Sequence, residues 1–315
     1  MARALTRRRF LAQSVATTVS VGLVGCQKAT RRRVEDVRGV RLVVPSSRSR
    51  DGAGVKLRRA LGHRGVPMLD PFLLLDEIDS RQPADYRRGF PTHPHRGFET
   101  VSYLIAGSFE HRDSVGNQGV IGAGDVQWMT AGRGIVHSEM PRAGQDGHVW
   151  GLQLWVNLPA ARKMTAPRYQ ELGAAEIPEI DVEDARVRLV AGRVAGRTGP
   201  IDGIAVAPTL LDATLPAGGS FRHGVPEHDS TFAYVLSGTV HFGPQATLAR
   251  DGHLVIFEAG REVVASSAAG GRFLLLSAAP IGEPVARRGP FVMNTDAEIR
   301  QAIEDYRSGR LVSDV

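Results

Sequence analysis

The sequence predicts an all-β protein built from two similar units in tandem, with one short helix at the C-terminal end. Three observations support this prediction: short runs that alternate apolar and polar residues, an internal repeat, and a single helical pattern. The alternating runs are clearest at residues 101–107 (VSYLIAG) and 152–158 (LQLWVNL). Such runs, with turn residues every ten or so positions, are typical of a β-sandwich or β-barrel. The chain has 315 residues, 36 of them glycine, so it is long enough for two such units with many tight turns.

The internal repeat relates the two halves of the chain. Residues 102–107 (SYLIAG) match residues 233–238 (AYVLSG), and residues 131–133 (AGR) match residues 259–261. The first match has an offset of 131 positions and the second an offset of 128. Two β units of nearly equal length are therefore expected.

The helical pattern begins at Thr295, which forms a capping box with Glu298. Ile299, Ile303 and Tyr306 then make one apolar stripe, and Gly309 is placed to end the helix. We expect this helix to pack on the barrels.

Charge is distributed unevenly along the chain. Its formal net charge is +6, yet residues 1–60 alone hold fifteen Lys and Arg against three acids. The rest of the chain is therefore mildly acidic, which argues against a nucleic-acid-binding surface on the folded units. The basic arm is better suited to lie against anionic lipid.

The first 26 residues have the layout of a signal peptide, and residues 6–11 (TRRRFL) match the twin-arginine export signal. Cys26 is the only cysteine and closes a lipobox-like segment (LVGC), so we expect it to be lipidated. A buried small residue is the alternative. The predicted location is the periplasm or the extracytoplasmic face, with the protein held on the membrane by its N-terminal lipid.

Two spaced pairs of side chains predict a metal site in the first unit. His93 and His95 alternate within PTHPHRGFE, and His137 and Glu139 alternate within GIVHSE. If both pairs point into one barrel, three imidazoles and one carboxylate meet. This set suits a divalent transition metal with open coordination positions; Fe(II) is the natural candidate for oxygen chemistry, and another divalent transition metal is the alternative. A closed structural zinc site would more often use cysteine.

The repeat provides an internal comparison for this site. His137 and Glu139 shifted by 128 fall on Ala265 and Ser267, and His93 and His95 shifted by 131 fall on Gly224 and Pro226. The second unit is thus predicted to have lost all four ligands. His223 and His228 lie nearby, as exposed loop histidines or, alternatively, as a second metal site. Glu99 is predicted to orient a ligand histidine by a hydrogen bond, with direct ligation as the alternative.

Several longer segments resemble the signature segments of the pirin family. They are HPHRGFETVSY from residue 93, QWMTAGRGIVH from residue 127, GLQLWVNL from residue 151, GPFVMNT from residue 289 and LDPFLLLDE from residue 69. The resemblance covers roughly residues 38–312. It implies two tandem cupin (jelly-roll-like) β-barrels of the cupin superfamily, with one metal, usually iron, in the first barrel. The implied ligands are again His93, His95, His137 and Glu139.

The resemblance and the residue patterns together divide the chain into six segments. These are a signal peptide at 1–25, a basic tether at 26–45, a metal-binding barrel at 46–166, a linker at 167–186, a barrel without metal at 187–290, and a tail with the helix at 291–315.

Two functions compete. Several pirins have quercetin 2,3-dioxygenase activity. The resemblance therefore implies that this protein is a metal-dependent oxygenase that acts on a small aromatic substrate and molecular oxygen. Glu139, if it detaches from the metal, would be the general base. Trp128 and Phe98 are candidates for the aromatic walls of the site, but a core role is favoured for both. The alternative is a non-enzymatic, metal- or redox-dependent sensor with a protein partner, as eukaryotic pirins are transcription coregulators. The export signal departs from the family and puts a nuclear or cytoplasmic role in doubt.

Overall fold

A computed structural model describes residues 36–312, all within one compact unit. The predicted signal peptide, Cys26 and the first part of the predicted tether lie outside the described residues. Among residues 36–312, no helix has the length and apolar character that crossing a bilayer requires.

The first barrel consists of a seven-stranded and a four-stranded antiparallel sheet, with strands numbered along the chain. The larger sheet contains, in spatial order, β12 (Arg168–Leu172), β9 (Val126–Thr130), β6 (Phe98–Ala106), β11 (Val149–Asn157), β4 (Phe72–Ser80), β3 (Val55–Leu61) and β2 (Ser47–Asp51). The smaller contains β5 (Phe90–His95), β10 (Ile135–Arg142), β7 (Ser108–Asp113) and β8 (Gln118–Ile121).

The second barrel is a ten-stranded antiparallel sheet that folds over on the long strand β19 (Ser230–Phe242). Its main path is β1 (Val40–Pro45), β21 (His253–Phe257), β19, β23 (Gly271–Ala278), β17 (Thr209–Leu215), β14 (Ala185–Ala191) and β13 (Glu179–Val182). The far half of β19 adds β20 (Thr247–Arg250) and β22 (Glu262–Ser267), and β22 pairs with β18 (Gly219–Gly224).

Outside the two barrels, the described residues form two small hairpins and two α-helices. They are β15 (Arg193–Val194) with β16 (Arg197–Thr198), β24 (Ala286–Arg288) with β25 (Phe291–Met293), α1 (Pro83–Tyr86) and α2 (Asp296–Arg307). The predicted all-β class with a short C-terminal helix is confirmed.

Two predicted segments, the tether and the linker, are corrected. Strand β1 lies in the predicted tether but pairs with β21 of the second barrel. Strands β12 and β13 lie in the predicted linker, but β12 pairs with β9 of the first barrel and β13 pairs with β14 of the second. All three are edge strands with mostly exposed or half-buried side chains. Their backbone hydrogen bonds hold them in place, and these leave little trace in the side-chain pattern.

The internal repeat is confirmed by backbone conformation as well as by sequence. Gly107 and Gly238 both have φ near +75°, at +74° and +76°, where β6 and β19 turn. Gly124 and Gly252, at +86° and +75°, precede β9 and β21. A positive φ favours glycine, so the same turns recur in both barrels.

One apolar core is shared by the two barrels. Phe72 of β4 meets Phe232 of β19 edge to face at 5.0 Å between ring centroids. Polar bonds also cross this interface: the Tyr103 hydroxyl donates to Asp212 at 2.5 Å, and the Tyr234 hydroxyl donates to Glu77. Tyr103 and Tyr234 are equivalent in the repeat, so each barrel sends one tyrosine to an acid of the other.

The C-terminal tail returns to the first barrel. Helix α2 begins as predicted, with Thr295 and Glu298 in a reciprocal capping box. It buries Ile299 and Ala302, while Tyr306 of the predicted stripe is 39% exposed. Asp305 of α2 forms an ion pair with Arg96 at 2.7 Å. Arg96 directly follows His95 in the chain. The tail therefore lies beside the predicted metal site.

Candidate metal centre

Strands β5 and β10 bring the two predicted ligand pairs together. They are antiparallel neighbours in the smaller sheet, and His137 lies directly opposite His93. Pro94 is tolerated between the two histidines because β5 is the edge strand of that sheet. Gly97 then turns the chain at φ +88°, where a Cβ would lie 1.9 Å from the Val292 carbonyl oxygen of the tail.

Three imidazoles converge at this point. One ring nitrogen from each of His93, His95 and His137 lies within 4.8 Å of the other two. The Nε2 atoms of His93 and His95 are 3.1 Å apart. His95 and His137 are buried and His93 is half-buried.

Hydrogen bonds fix the tautomers of two of these rings. Nδ1 of His93 donates to the Pro91 carbonyl at 2.9 Å, and Nδ1 of His95 donates to the Pro290 carbonyl at 3.3 Å. A carbonyl oxygen only accepts, so Nδ1 carries a proton, and in the neutral ring Nε2 then offers its lone pair to the centre.

The electrostatics of the centre fit a bound cation. Burial lowers the pKa of His95 and of His137 well below the usual range, and the neighbouring histidines lower it further. Two Nε2 lone pairs that face each other repel unless a cation lies between them. Both nitrogens of His137 are buried without a hydrogen-bond partner. One metal ion bound by the three imidazoles would explain these features.

Glu139 lies beside this group but outside the set of three. It is buried on the same face of β10 as His137, and the pairing of β10 with β5 shifts register between the two residues. The Ser102 hydroxyl donates to its carboxylate at 2.9 Å and lies 2.8 Å from the Gln153 amide. Burial raises the pKa of Glu139, and His93 and Ser102 oppose that shift.

A cavity of about 560 Å³ opens onto the centre. His93, His95 and Glu139 line it, and its other walls are mostly apolar or aromatic, with Leu57, Leu74, Ile78, Phe90, Phe109 and Trp155. Charged side chains also line it, namely Asp51, Arg59, Asp76 and Arg287. This volume and lining are typical of a small-molecule site.

Glu99 does not orient a ligand histidine. Its buried carboxylate accepts from Thr130 Oγ1 at 2.8 Å and from Trp128 Nε1 at 3.2 Å. It thus joins β6 to β9, and it does not belong to the cluster of possible ligands within residues 36–312.

Trp128 and Phe98 are core residues, which is the role that the sequence favoured for them over that of aromatic walls. Trp128 is 1% exposed in the core between the barrels, and Phe98 is fully buried against His95 and Trp155. Trp155 is the indole that lines the cavity.

The second barrel keeps one residue of the ligand set, which corrects the predicted loss of all four. Strand β18 pairs with β22 so that His223 is opposite Val263 and Phe221 is opposite Ala265. This is the register in which His95 faces Ile135 and His93 faces His137. His223 therefore corresponds to His95, and Phe221 to His93. The second unit has three extra residues between β18 and β19. Residues of β5 and β18 are therefore related by the offset of 128, and residues of β6 and β19 by the offset of 131.

His223 and His228 do not form a second metal cluster with other described residues. His223 is buried rather than in an exposed loop, and Phe221, Phe242, Phe257 and Phe273 pack inside this barrel. His228 is exposed.

Sequence reasoning missed the groups that hold the site in shape. The Pro290 carbonyl lies 195 residues beyond His95, and a main-chain oxygen has no signature in a sequence. Ser102 and Gln153 come from β6 and β11 of the opposite sheet. Their period-two alternation with apolar neighbours was the available signal, because it places them on an inner face.

Comparisons with known proteins agree with this architecture. Residues 54–156 match the family model described as Pirin, and residues 210–312 match the Pirin C-terminal cupin domain. A pirin-like protein of Caulobacter vibrioides is 45% identical over 277 residues, which cover 87% of this chain and 99% of the relative. Human pirin is 42% identical, with 86% of this chain and 93% of the relative covered.

A solved structure gives the same result for the fold. The crystal structure of a quercetin 2,3-dioxygenase from Acinetobacter baumannii superposes with a TM-score of 0.80 at 33% sequence identity, covering 88% of this chain and 99% of that one. With two cupin barrels, three clustered histidines in the first, and both domains matched in order, the chain belongs to the pirin family.

Proposed function

We propose that the protein is an iron(II)-dependent oxygenase of the quercetin 2,3-dioxygenase type, acting on a flavonol or a related aromatic compound. The observation that carries this proposal is the cluster of three imidazoles, with a buried carboxylate beside it, at a cavity of ligand size. The name of the Acinetobacter baumannii structure supports it at 33% identity.

His93, His95, His137 and Glu139 would hold the metal, with Glu139 as the fourth ligand. A bound divalent iron would act as a Lewis acid toward a substrate oxygen and provide the redox chemistry for oxygen. Pro91 and Pro290 keep two imidazoles turned inward through their carbonyls.

Glu139 is also the proposed general base, once its carboxylate has detached from the metal. Burial makes its carboxylate more basic, and Ser102 fixes one of its oxygens. The apolar cavity walls exclude water from the carboxylate and favour proton transfer from a substrate hydroxyl.

The test is oxygen uptake with quercetin by iron-loaded protein that begins at residue 27. Wild type should consume oxygen in step with flavonol loss. His137→Ala should show neither oxygen uptake nor flavonol loss. His228→Ala, an exposed histidine of the second barrel, should behave like wild type. Iron content is measured for each sample. Iron-loaded wild type without uptake would count against flavonol oxygenation and favour the metal-dependent sensor.

We also propose export by the twin-arginine route and a lipid anchor at Cys26, on the sequence alone. In a Gram-negative host, wild type should be found with the membranes after export. Cys26→Ser should be released from them, and a joint Arg7→Lys and Arg8→Lys change should block export. Export of the double variant at the wild-type rate would contradict the twin-arginine proposal.

A further inference from the structure

The two arginine side chains that line the cavity at the metal centre differ in their hydrogen-bond partners. Arg59 is bound by two carboxylates: it donates to both oxygens of Asp76 at 2.7 and 2.6 Å and to Asp51 at 2.7 Å. Its charge and geometry are therefore satisfied within the protein.

Arg287 lacks such partners. Its side chain comes from β24, which lies outside both barrels, and lines the same cavity. Within the described part of the chain it makes one hydrogen bond, from Nη1 to the Leu73 carbonyl at 3.1 Å, and no ion pair. Its remaining N–H groups are free to bind a ligand.

Trp155 holds the Arg287 guanidinium in place and connects it to the metal centre. Cζ of Arg287 lies 4.7 Å from the indole centroid, a cation–π distance. The same indole is 5.3 Å from the His95 ring. One indole thus separates the metal-binding histidine from the free guanidinium.

We propose that Arg287 is a specificity-determining residue, which selects aromatic substrates that carry an anionic oxygen on the edge away from the metal centre. A planar guanidinium binds a carboxylate or an ionised phenol through charge-assisted hydrogen bonds. The acids Asp51 and Asp76 balance the formal charges of Arg59 and Arg287, but their oxygens are engaged by Arg59. Arg287 keeps the unused donors. This inference rests on the proposed function in taking the cavity as the substrate site.

The test uses two bicyclic probes of the same shape, 2-naphthoate and neutral 2-naphthamide, titrated calorimetrically into iron-loaded protein without oxygen. Wild type should bind naphthoate about tenfold more tightly than naphthamide, as expected for a hydrogen bond to a charged group. In Arg287→Gln this preference should fall to about twofold or less, and Arg287→Lys should retain part of it.

Arg288→Gln is the matched control, because it removes the same charge from the next residue, which does not line the cavity. It should keep the wild-type preference. An unchanged preference in Arg287→Gln would overturn the proposal, since the carboxylate would then be held by the metal or another group. Lack of any preference in wild type would overturn it as well.

Oxygen uptake with quercetin, measured on the same variants, separates this inference from the proposed activity. If wild type takes up oxygen but Arg287→Gln keeps the same preference for naphthoate, the inference is overturned and the proposed activity stands. A preference that depends on Arg287, in protein that takes up no oxygen with quercetin, supports the inference and counts against flavonol oxygenation.

Discussion

Ser102 is a small side chain in contact with the proposed fourth ligand. Its hydroxyl is 2.9 Å from the Glu139 carboxylate, and both residues are buried. Partners of this kind typically contribute tenfold or more to metal affinity, so Ser102→Ala should bind Fe(II) about tenfold more weakly. Competition with a chelator measures this affinity. Ser277→Ala, a buried serine of the second barrel, is the control and should bind like wild type; equal affinity for both variants would contradict the role of Ser102.

Lys163 is a buried cation whose stability effect depends on pH. Its ammonium group donates to Gly97 O at 2.8 Å, Asn157 Oδ1 at 2.7 Å and Val292 O at 3.1 Å. Burial lowers the pKa of Lys163 to about 8, from 10.5. Between these values the unfolded chain binds the proton more readily, so the free energy of unfolding contributed by this group rises with pH.

Wild type should therefore gain stability relative to Lys163→Met from about pH 8 to about pH 10.5, by up to about 3 kcal/mol. Urea unfolding of both proteins at several pH values measures the difference. A difference that stays constant over that range would show that folding does not lower the pKa of Lys163.

Residue types were more predictable than their contacts. His93, His95 and His137 converge as their alternation on two strands indicates. Glu99 has the spacing of a ligand partner, yet its carboxylate is taken by Thr130 and Trp128 of β9. The sequence did not predict these contacts, because a single sequence does not show which strand pairs with β6 in the sheet.

At the scale of elements, β1 shows how an edge strand escapes recognition. It carries five register pairs with β21, and Arg38 just before it donates to the carbonyls of Pro226, Glu227, Asp229 and Glu258. Only Arg41 of its six residues is charged, but all six side chains are exposed or half-buried, so no buried face marks it as a strand. Its place in the sheet comes from the backbone.

A chain that begins at residue 46 should therefore be less stable than one that begins at residue 36, by on the order of 3 kcal/mol. The loss comes from the exposed edge of β21 and from carbonyls that Arg38 no longer binds. Urea unfolding compares the two chains, with the chain from residue 27 as the control that should match the chain from residue 36. Equal midpoints for all three would mean that β1 adds no stability.

At the scale of the whole molecule, two crossed tyrosines join the barrels. Tyr103 donates to Asp212, and Tyr234 donates to Glu77. Arg272 and Arg58 neutralise these acids, with Arg272 2.6 Å from Asp212 and Arg58 2.8 Å from Glu77. The repeat in the sequence predicted equivalent tyrosines, but it held no sign that their partners lie in the opposite barrel.

Tyr103→Phe and Tyr234→Phe should each lower the free energy of unfolding by about 1–3 kcal/mol, because each leaves a buried carboxylate short of one donor. Since the apolar core is continuous between the barrels, calorimetry should show one transition that shifts as a whole. Tyr306→Phe, on the surface of α2, should change little. Separate transitions for the two barrels in either variant would contradict a shared core.

The Pro290 carbonyl that turns His95 toward the centre has a consequence for the order of synthesis. A ribosome makes His95 first and Pro290 195 residues later, after the entire second barrel. The first barrel can close its strands while translation continues, but the orientation of its metal-binding imidazole waits for the last part of the chain. Loading of the proposed metal at full affinity would thereby be confined to finished molecules, and a prematurely terminated chain would leave the ribosome without a complete site.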